Sequence, residues 1–199
     1  MKKVHKLAVL ASGSGTTLQA IINAIVAGEM DAEINIVVSH YENEFALKRA
    51  DLAGIRSYVL KAKSAEERDE ELLDVLKGAD VELVVLADYI RLIGPKVIKD
   101  FTLINTYLSL LPKYVGRGMR DENVHMVVAD NYGNERGVTL HFVNAKHDRS
   151  QIIYQTHVPF YPEDSENDIL TRVQEVKKTQ LVSILKAYTE GKIDIPDIS

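Results

Sequence analysis

The 199-residue chain contains no cysteine. That excludes a disulfide framework, a thiol nucleophile and any thiolate metal site, and it fits a cytoplasmic protein. No apolar run approaches the length needed to cross a bilayer. The start, MKKVHKLAVLA, imitates a signal peptide, but its apolar core Leu7–Ala11 is too short and Ser-Gly-Ser-Gly follows at once. Charge of one sign is also scarce. With 24 basic and 29 acidic residues the net is −5, so the chain has no general attraction for nucleic acid or an anionic membrane. Six histidines (His5, His40, His125, His141, His147, His157) show neither HExxH nor H-x-H spacing, and no metal site is expected. No Gly-x-Ser-x-Gly elbow supports a hydrolase. Repeats and low-complexity segments are missing as well.

What is present is a single domain's worth of alternating elements, long enough to bury a substantial core. Lys6–Ala11 is apolar on both faces, as a buried parallel strand requires. A polar turn, Ser12–Thr17, precedes a helix from Leu18 to Ala27 with apolar residues at Leu18, Ile21, Ile22 and Ile25. Strands follow at Glu33–Ser39, Arg56–Leu60 and Val81–Ala87, separated by helices over Phe45–Ala53 and from Ser64 to about Lys77. Ser64 and Glu67 have capping-box spacing. A short helix follows Pro95, and Leu103-Ile104 opens another strand. Asp121–Asp130 reads as a short helix, Val138–Val143 and Ile152–Val158 as strands, and Ser165 caps a long helix to about Tyr188. The first half predicts a mostly parallel twisted sheet with helices on both faces, and the second half an antiparallel addition. The two halves, 1–103 and 104–199, show no linker between them.

Four stretches carry chemistry. At Leu103–Lys113 a buried strand runs into Asn105, Thr106, Tyr107, Ser109 and Lys113. It is either a site at the carboxyl end of a sheet or a strand running out into a polar loop. Ser12–Thr17 puts two glycines and neighbouring hydroxyls before a helix N-terminus, which suits a phosphate; the other reading is a plain tight turn. The dinucleotide pattern fails because Leu18 occupies the third glycine position, and the P-loop Gly-Lys-Ser/Thr is missing, so a mononucleotide or sugar phosphate is the better match. Asp88–Leu92 ends the fourth strand and either lines a pocket for a flat heterocycle or packs on its own domain. Asn144–Ser150 holds His147 beside Asp148, an acid–base pair or a solvated turn. His141, alternating within a strand, reads as a structural residue.

Taken together, Leu7–Gln19 (LAVLASGSGTTLQ), Val81–Pro95, Ile104–Gly116 (with SLLPKYVG), Gly137–Val143 (GVTLHFV) and Asp164–Gln174 (DSENDILTRVQ) resemble the glycinamide ribonucleotide formyltransferases. The likeness runs in one order through nearly the whole chain. It implies a formyltransferase-type, Rossmann-like fold and formyl transfer from 10-formyltetrahydrofolate to the amine of glycinamide ribonucleotide, in purine biosynthesis. It implies small-molecule partners only, a phosphorylated substrate and a folate, with a monomeric or homodimeric protein and no nucleic acid or membrane. The phosphate would sit on Gly13, Ser14, Gly15, Thr16 and Thr17, with Lys113 and Lys177 on the substrate side. The folate would lie against Ile90, Arg91, Leu92 and Ile93 and the turn holding Ala145 and His147. Asn105 and Asp148 match the family's catalytic asparagine and aspartate.

The chain departs from the family at the chemistry. Tyr107 stands at the catalytic histidine of the Asn-Ile-His-Pro-Ser run, and Leu108 at its proline. Arg149-Ser150 replace Gly-Gly after the aspartate, and Val115–Arg120 replace a segment that usually carries one or two histidines. Thr17 stands for an asparagine, Lys177 for an acidic residue that would meet the substrate amine, and Leu181-Val182 for Tyr-Pro. An arginine holding the substrate tail aligns with Ala65, with Arg68 one turn on. A histidine can be a cation near neutral pH and a tyrosine cannot. Three readings follow: a working glycinamide ribonucleotide enzyme, a formyltransferase for another acceptor, or a non-catalytic, repurposed paralogue that binds a phosphorylated or folate-like ligand.

Overall fold

A computed structural model describes residues 3–111, 137–143 and 151–193. Its centre is a seven-stranded sheet of order β3-β2-β1-β4-β5-β6-β7. The strands are β1 (His5–Ala11), β2 (Ala32–Ser39), β3 (Ser57–Val59), β4 (Leu83–Ala87), β5 (Thr102–Tyr107), β6 (Gly137–Phe142) and β7 (Gln151–His157). β1 to β5 pair in parallel, and β6 and β7 add antiparallel. This is the mostly parallel, doubly covered sheet with an antiparallel addition that the strand–helix alternation predicts.

The helices are α1 (Thr16–Val26), α2 (Phe45–Leu52), α3 (Ala65–Gly78), α4 (Pro95–Asp100) and α5 (Glu166–Thr189). Side chains alternate along β1 because strand residues point to opposite faces. Leu7, Val9 and Ala11 pack with α1 and α5 through Leu18, Ile21, Val173, Leu181 and Leu185. Ala8 and Leu10 pack with α3 and α4 through Leu72, Leu76, Val97 and Ile98. Both predicted serine caps form: Ser64 accepts from the Glu67 amide at 3.2 Å and Ser165 from the Asp168 amide at 3.2 Å, each in a full capping box. No described helix is long and apolar enough to cross a membrane.

Most elements shift by a residue or two from their predicted bounds, and two of the differences bear on the site. α1 starts at Thr16, not Leu18, because Gly15 takes the cap position with a left-handed backbone, φ 67°. Both threonines therefore lie in the first turn. β5 continues past Ile104 through Asn105, Thr106 and Tyr107, because β6 gives these polar residues partners: Asn105 opposite His141, Thr106 opposite Leu140 and Tyr107 opposite Thr139. The predicted helix Asp121–Asp130 and the turn Asn144–Ser150 lie outside the described residues.

Candidate active site

β1 is flanked by β2 on one side and β4 on the other, and its α1 and α2 crossovers run toward β2 while later strands extend the other way. Ligands of open parallel sheets settle at such a switch, outside the carboxyl ends of the strands. Ala11 and Ala87 are register partners there, so Ser12 and Asp88 leave the sheet side by side.

The turn Ser12–Thr17 is built by two glycines with different tasks. Gly13 has φ 66° and open space where a Cβ would be, so only its backbone conformation calls for glycine. Gly15 has φ 67°, and a Cβ there would come within 2.6 Å of the Ala46 Cα. α2 packs directly on the turn and braces it. The Ala46 amide donates to the Gly13 carbonyl at 3.1 Å, and the Arg49 Nε donates to the Ser14 carbonyl at 2.8 Å. α1 has no side-chain cap and no acidic residue in its first turn, so its leading N–H groups and dipole remain available to an anion. The Ser12 hydroxyl is buried at the base of the turn and has no hydrogen-bond partner among the described residues. A buried donor without a partner is costly, and a bound ligand oxygen would satisfy it.

Asp88 follows β4 with a left-handed backbone, φ 62°, a conformation that aspartate adopts more readily than most side chains. Its carboxylate is held from two helices. The Thr17 hydroxyl donates to Oδ2 at 2.6 Å, and the Lys177 ammonium donates to Oδ1. Thr17 and Lys177 are fully buried, whereas the Asp88 side chain keeps 37% of its surface exposed. Lys177 is thus already engaged by Asp88, whose other oxygen meets Thr17 of the turn.

The rest of the segment after β4 divides. Ile90 is half-buried, Arg91 and Leu92 are exposed, and Ile93 belongs to the core. Of the four expected folate-lining residues, Ile93 is the one packed on its own domain. Arg91 donates to the Tyr41 hydroxyl at 2.7 Å. His40, after β2, packs edge-on against Tyr89 with ring centroids 5.0 Å apart, and both its ring nitrogens are buried without hydrogen-bond partners among the described residues. Burial, with Arg91 and Arg68 nearby, pushes its pKa down to about 4. Burial likewise raises the Tyr89 phenol to about 12.

On β5, the Asn105 Oδ1 accepts from the Thr106 amide at 2.8 Å, which fixes the amide and leaves its NH2 group as a donor. The Tyr107 ring stacks on His141, with centroids 4.9 Å apart and planes 14° from parallel. His141 is buried, and its Nδ1 donates to the Phe142 carbonyl at 3.0 Å while Nε2 has no partner among the described residues. Burial lowers its pKa to about 4, so it is a neutral imidazole at pH 7 and adds no cation beside Tyr107. The segment after β5 is pinned by Thr139, whose hydroxyl donates to the Ser109 carbonyl at 2.7 Å and accepts from Gln155 at 2.8 Å.

The sheet therefore brings Gly13–Thr17, Asp88–Leu92, Asn105 and Tyr107 to its switch-point edge. Lys113, Ala145, His147 and Asp148 lie outside the described residues. Reading the residues alone picked out the stretches Ser12–Thr17 and Asp88–Leu92 but gave Asp88 and the Ser12 hydroxyl no role of their own, and it missed the stacking of His141. Asp88 had one signal, its place directly after a buried strand; the His141 contact depends on a pairing between distant strands.

A family model for formyl transferases matches residues 5–185. The phosphoribosylglycinamide formyltransferase of Haemophilus influenzae is 36% identical over 199 residues, with 98% of this chain and 92% of that protein covered. The chain belongs to the phosphoribosylglycinamide formyltransferase family. The Escherichia coli member is 32% identical, with 94% of this chain and 88% of that protein covered. Glycinamide ribonucleotide transformylase 1 from Symbiobacterium toebii has the same fold, with a TM-score of 0.87 at 28% identity, covering 98% of this chain and 92% of that one. The Rossmann-like formyltransferase fold is thereby established.

Proposed function

We propose that the protein transfers a formyl group from 10-formyltetrahydrofolate to the primary amine of glycinamide ribonucleotide. The observation that carries this reading is the braced Ser12–Thr17 turn on the same sheet edge as Asn105. The substrate phosphate takes the free amides of the first turn of α1, and the buried Ser12 hydroxyl gains a partner. Ile90, Arg91 and Leu92 offer an apolar wall with one cation to the folate, together with Ala145 and His147.

In the reaction the amine attacks the formyl carbon, a C–N bond forms, and the carbonyl oxygen gains negative charge. The Asn105 NH2 group donates to that oxygen. Tyr107 supplies a second, uncharged donor where the family has a histidine. Collapse breaks the bond to the folate nitrogen, and the amine's proton leaves through Asp148 to the departing folate. An uncharged donor stabilises an oxyanion less than a cation does, so the rate is expected to be low for the family.

Turnover of glycinamide ribonucleotide with 10-formyltetrahydrofolate tests this. Product formation by the wild type, lost in Asn105→Ala, is the expected result. Binding of both ligands without product would favour a second reading, a binding protein or an enzyme for another acceptor. The observation on its side is Tyr107 stacked on a neutral His141.

A further inference from the structure

We propose that Asp88 is a specificity-determining residue, whose carboxylate accepts hydrogen bonds from the hydroxyls of the sugar attached to the bound phosphate. The inference rests on the proposed phosphate site at the Ser12–Thr17 turn. Asp88 leaves β4 directly beside the turn, because Ala87 and Ala11 are paired. Its Oδ2 is one hydrogen bond from Thr17, a first-turn residue of α1. The part of a phosphate ester within reach of this carboxylate is the group joined to the phosphate.

A carboxylate has about four lone-pair sites. Thr17 and Lys177 occupy one on each oxygen, and the side chain is 37% exposed. Room for further donors remains, and sugar hydroxyls are such donors. Two buried side chains from different helices hold the group in place, so its orientation is set before a ligand arrives.

A lone carboxylate beside a phosphate would repel it. The Lys177 ammonium, 1% exposed, neutralises Asp88 from behind and makes an acceptor tolerable next to an anion. In this account Lys177 touches no substrate. It is a positioning residue that acts through Asp88.

The test is calorimetric titration of the full chain with inorganic phosphate, ribose 5-phosphate and glycinamide ribonucleotide. The variants are Asp88→Asn and the double variant Asp88→Gly with Lys177→Met. The double variant leaves no buried charge unpaired, and glycine suits φ 62°. The wild type should bind ribose 5-phosphate at least ten-fold more tightly than inorganic phosphate, and both variants should lose most of that ratio. Ten-fold is about what one charge-assisted hydrogen bond contributes. The double variant, which removes both charges, should keep its affinity for inorganic phosphate within two-fold of wild type, whereas Asp88→Asn, which leaves the Lys177 ammonium uncompensated, should bind inorganic phosphate at least as tightly as wild type. A wild-type ratio near one overturns the inference, as does an unchanged ratio in either variant. If the wild type discriminates and the variants do not, yet glycinamide ribonucleotide fails to bind, the inference on Asp88 stands and the proposed acceptor falls.

Discussion

The two sides of the switch point are held together differently. On the β1 side, the phosphate turn is held by other elements: α2 braces Gly13 and Gly15, Thr17 is tied to Asp88, and Asp88 to Lys177 on α5. On the β5 side, Asn105 is fixed by its own neighbour and Tyr107 by a ring stacked on it. The first side presents backbone amides, a buried hydroxyl and a compensated charge pair. The second presents uncharged donors and a neutral imidazole. Holding an anion needs fixed dipoles, which the β1 side has. Stabilising a developing oxyanion gains most from a nearby cation, which the described residues of the β5 side do not supply. Binding and chemistry are thus separable parts of one sheet edge.

The largest expected effect breaks the braced side. Gly15→Ala places a methyl 2.6 Å from the Ala46 backbone at a left-handed position, which should cost roughly 2–5 kcal/mol. Gly13→Ala meets no atom within 4 Å, and only the backbone penalty of about 1–2 kcal/mol applies. Thermal melts of both variants check the difference, and a Gly15→Ala protein as stable as Gly13→Ala would show that α2 does not brace the turn.

The next effect belongs to the β5 side and to pH. His141 has its native pKa lowered from 6.5 to about 4, so between those values the unfolded chain takes up a proton that the native state does not. Its stabilising contribution is complete above about pH 6.5 and is lost as the pH falls toward 4, by up to about 3 kcal/mol. His40 moves the same way. Melts between pH 7.5 and 4.5 should show the fall, and His141→Gln should make it shallower, leaving the part due to His40. An equally steep fall in that variant would place the acid sensitivity elsewhere.

The smallest effect sharpens the comparison from a distance. Ser165→Ala removes the cap of α5, the helix that carries Lys177, and should cost about 1 kcal/mol. The melting temperature should drop while the affinity for inorganic phosphate is unchanged. A weakened phosphate affinity would mean that the α5 end, far from the site, tunes the turn.

Most of the scaffold was legible in the sequence because local rules decided it. Buried parallel strands such as Lys6–Ala11 read as apolar on both faces, and Ser64 announced its helix through capping-box spacing. The phosphate turn was legible because glycines and hydroxyls clustered between a strand and a helix. Less was visible where distant segments meet. Lys177, met as a sequence letter, suggested a cation for the substrate; only the packing of α5 against the β4 end shows its ammonium on Asp88. The continuation of β5 through Tyr107 likewise depended on pairing with β6, some thirty residues away.

The central claim is that the Ser12–Thr17 turn holds the substrate phosphate and that the replaced group at Tyr107 limits the rate. Steady-state formyl transfer to glycinamide ribonucleotide, at saturating 10-formyltetrahydrofolate, tests it most directly for the wild type and Tyr107→His. The account predicts that kcat rises about a hundred-fold or more in the variant, with KM for glycinamide ribonucleotide within two-fold of wild type. Equal kcat values, or a change confined to KM, would contradict it.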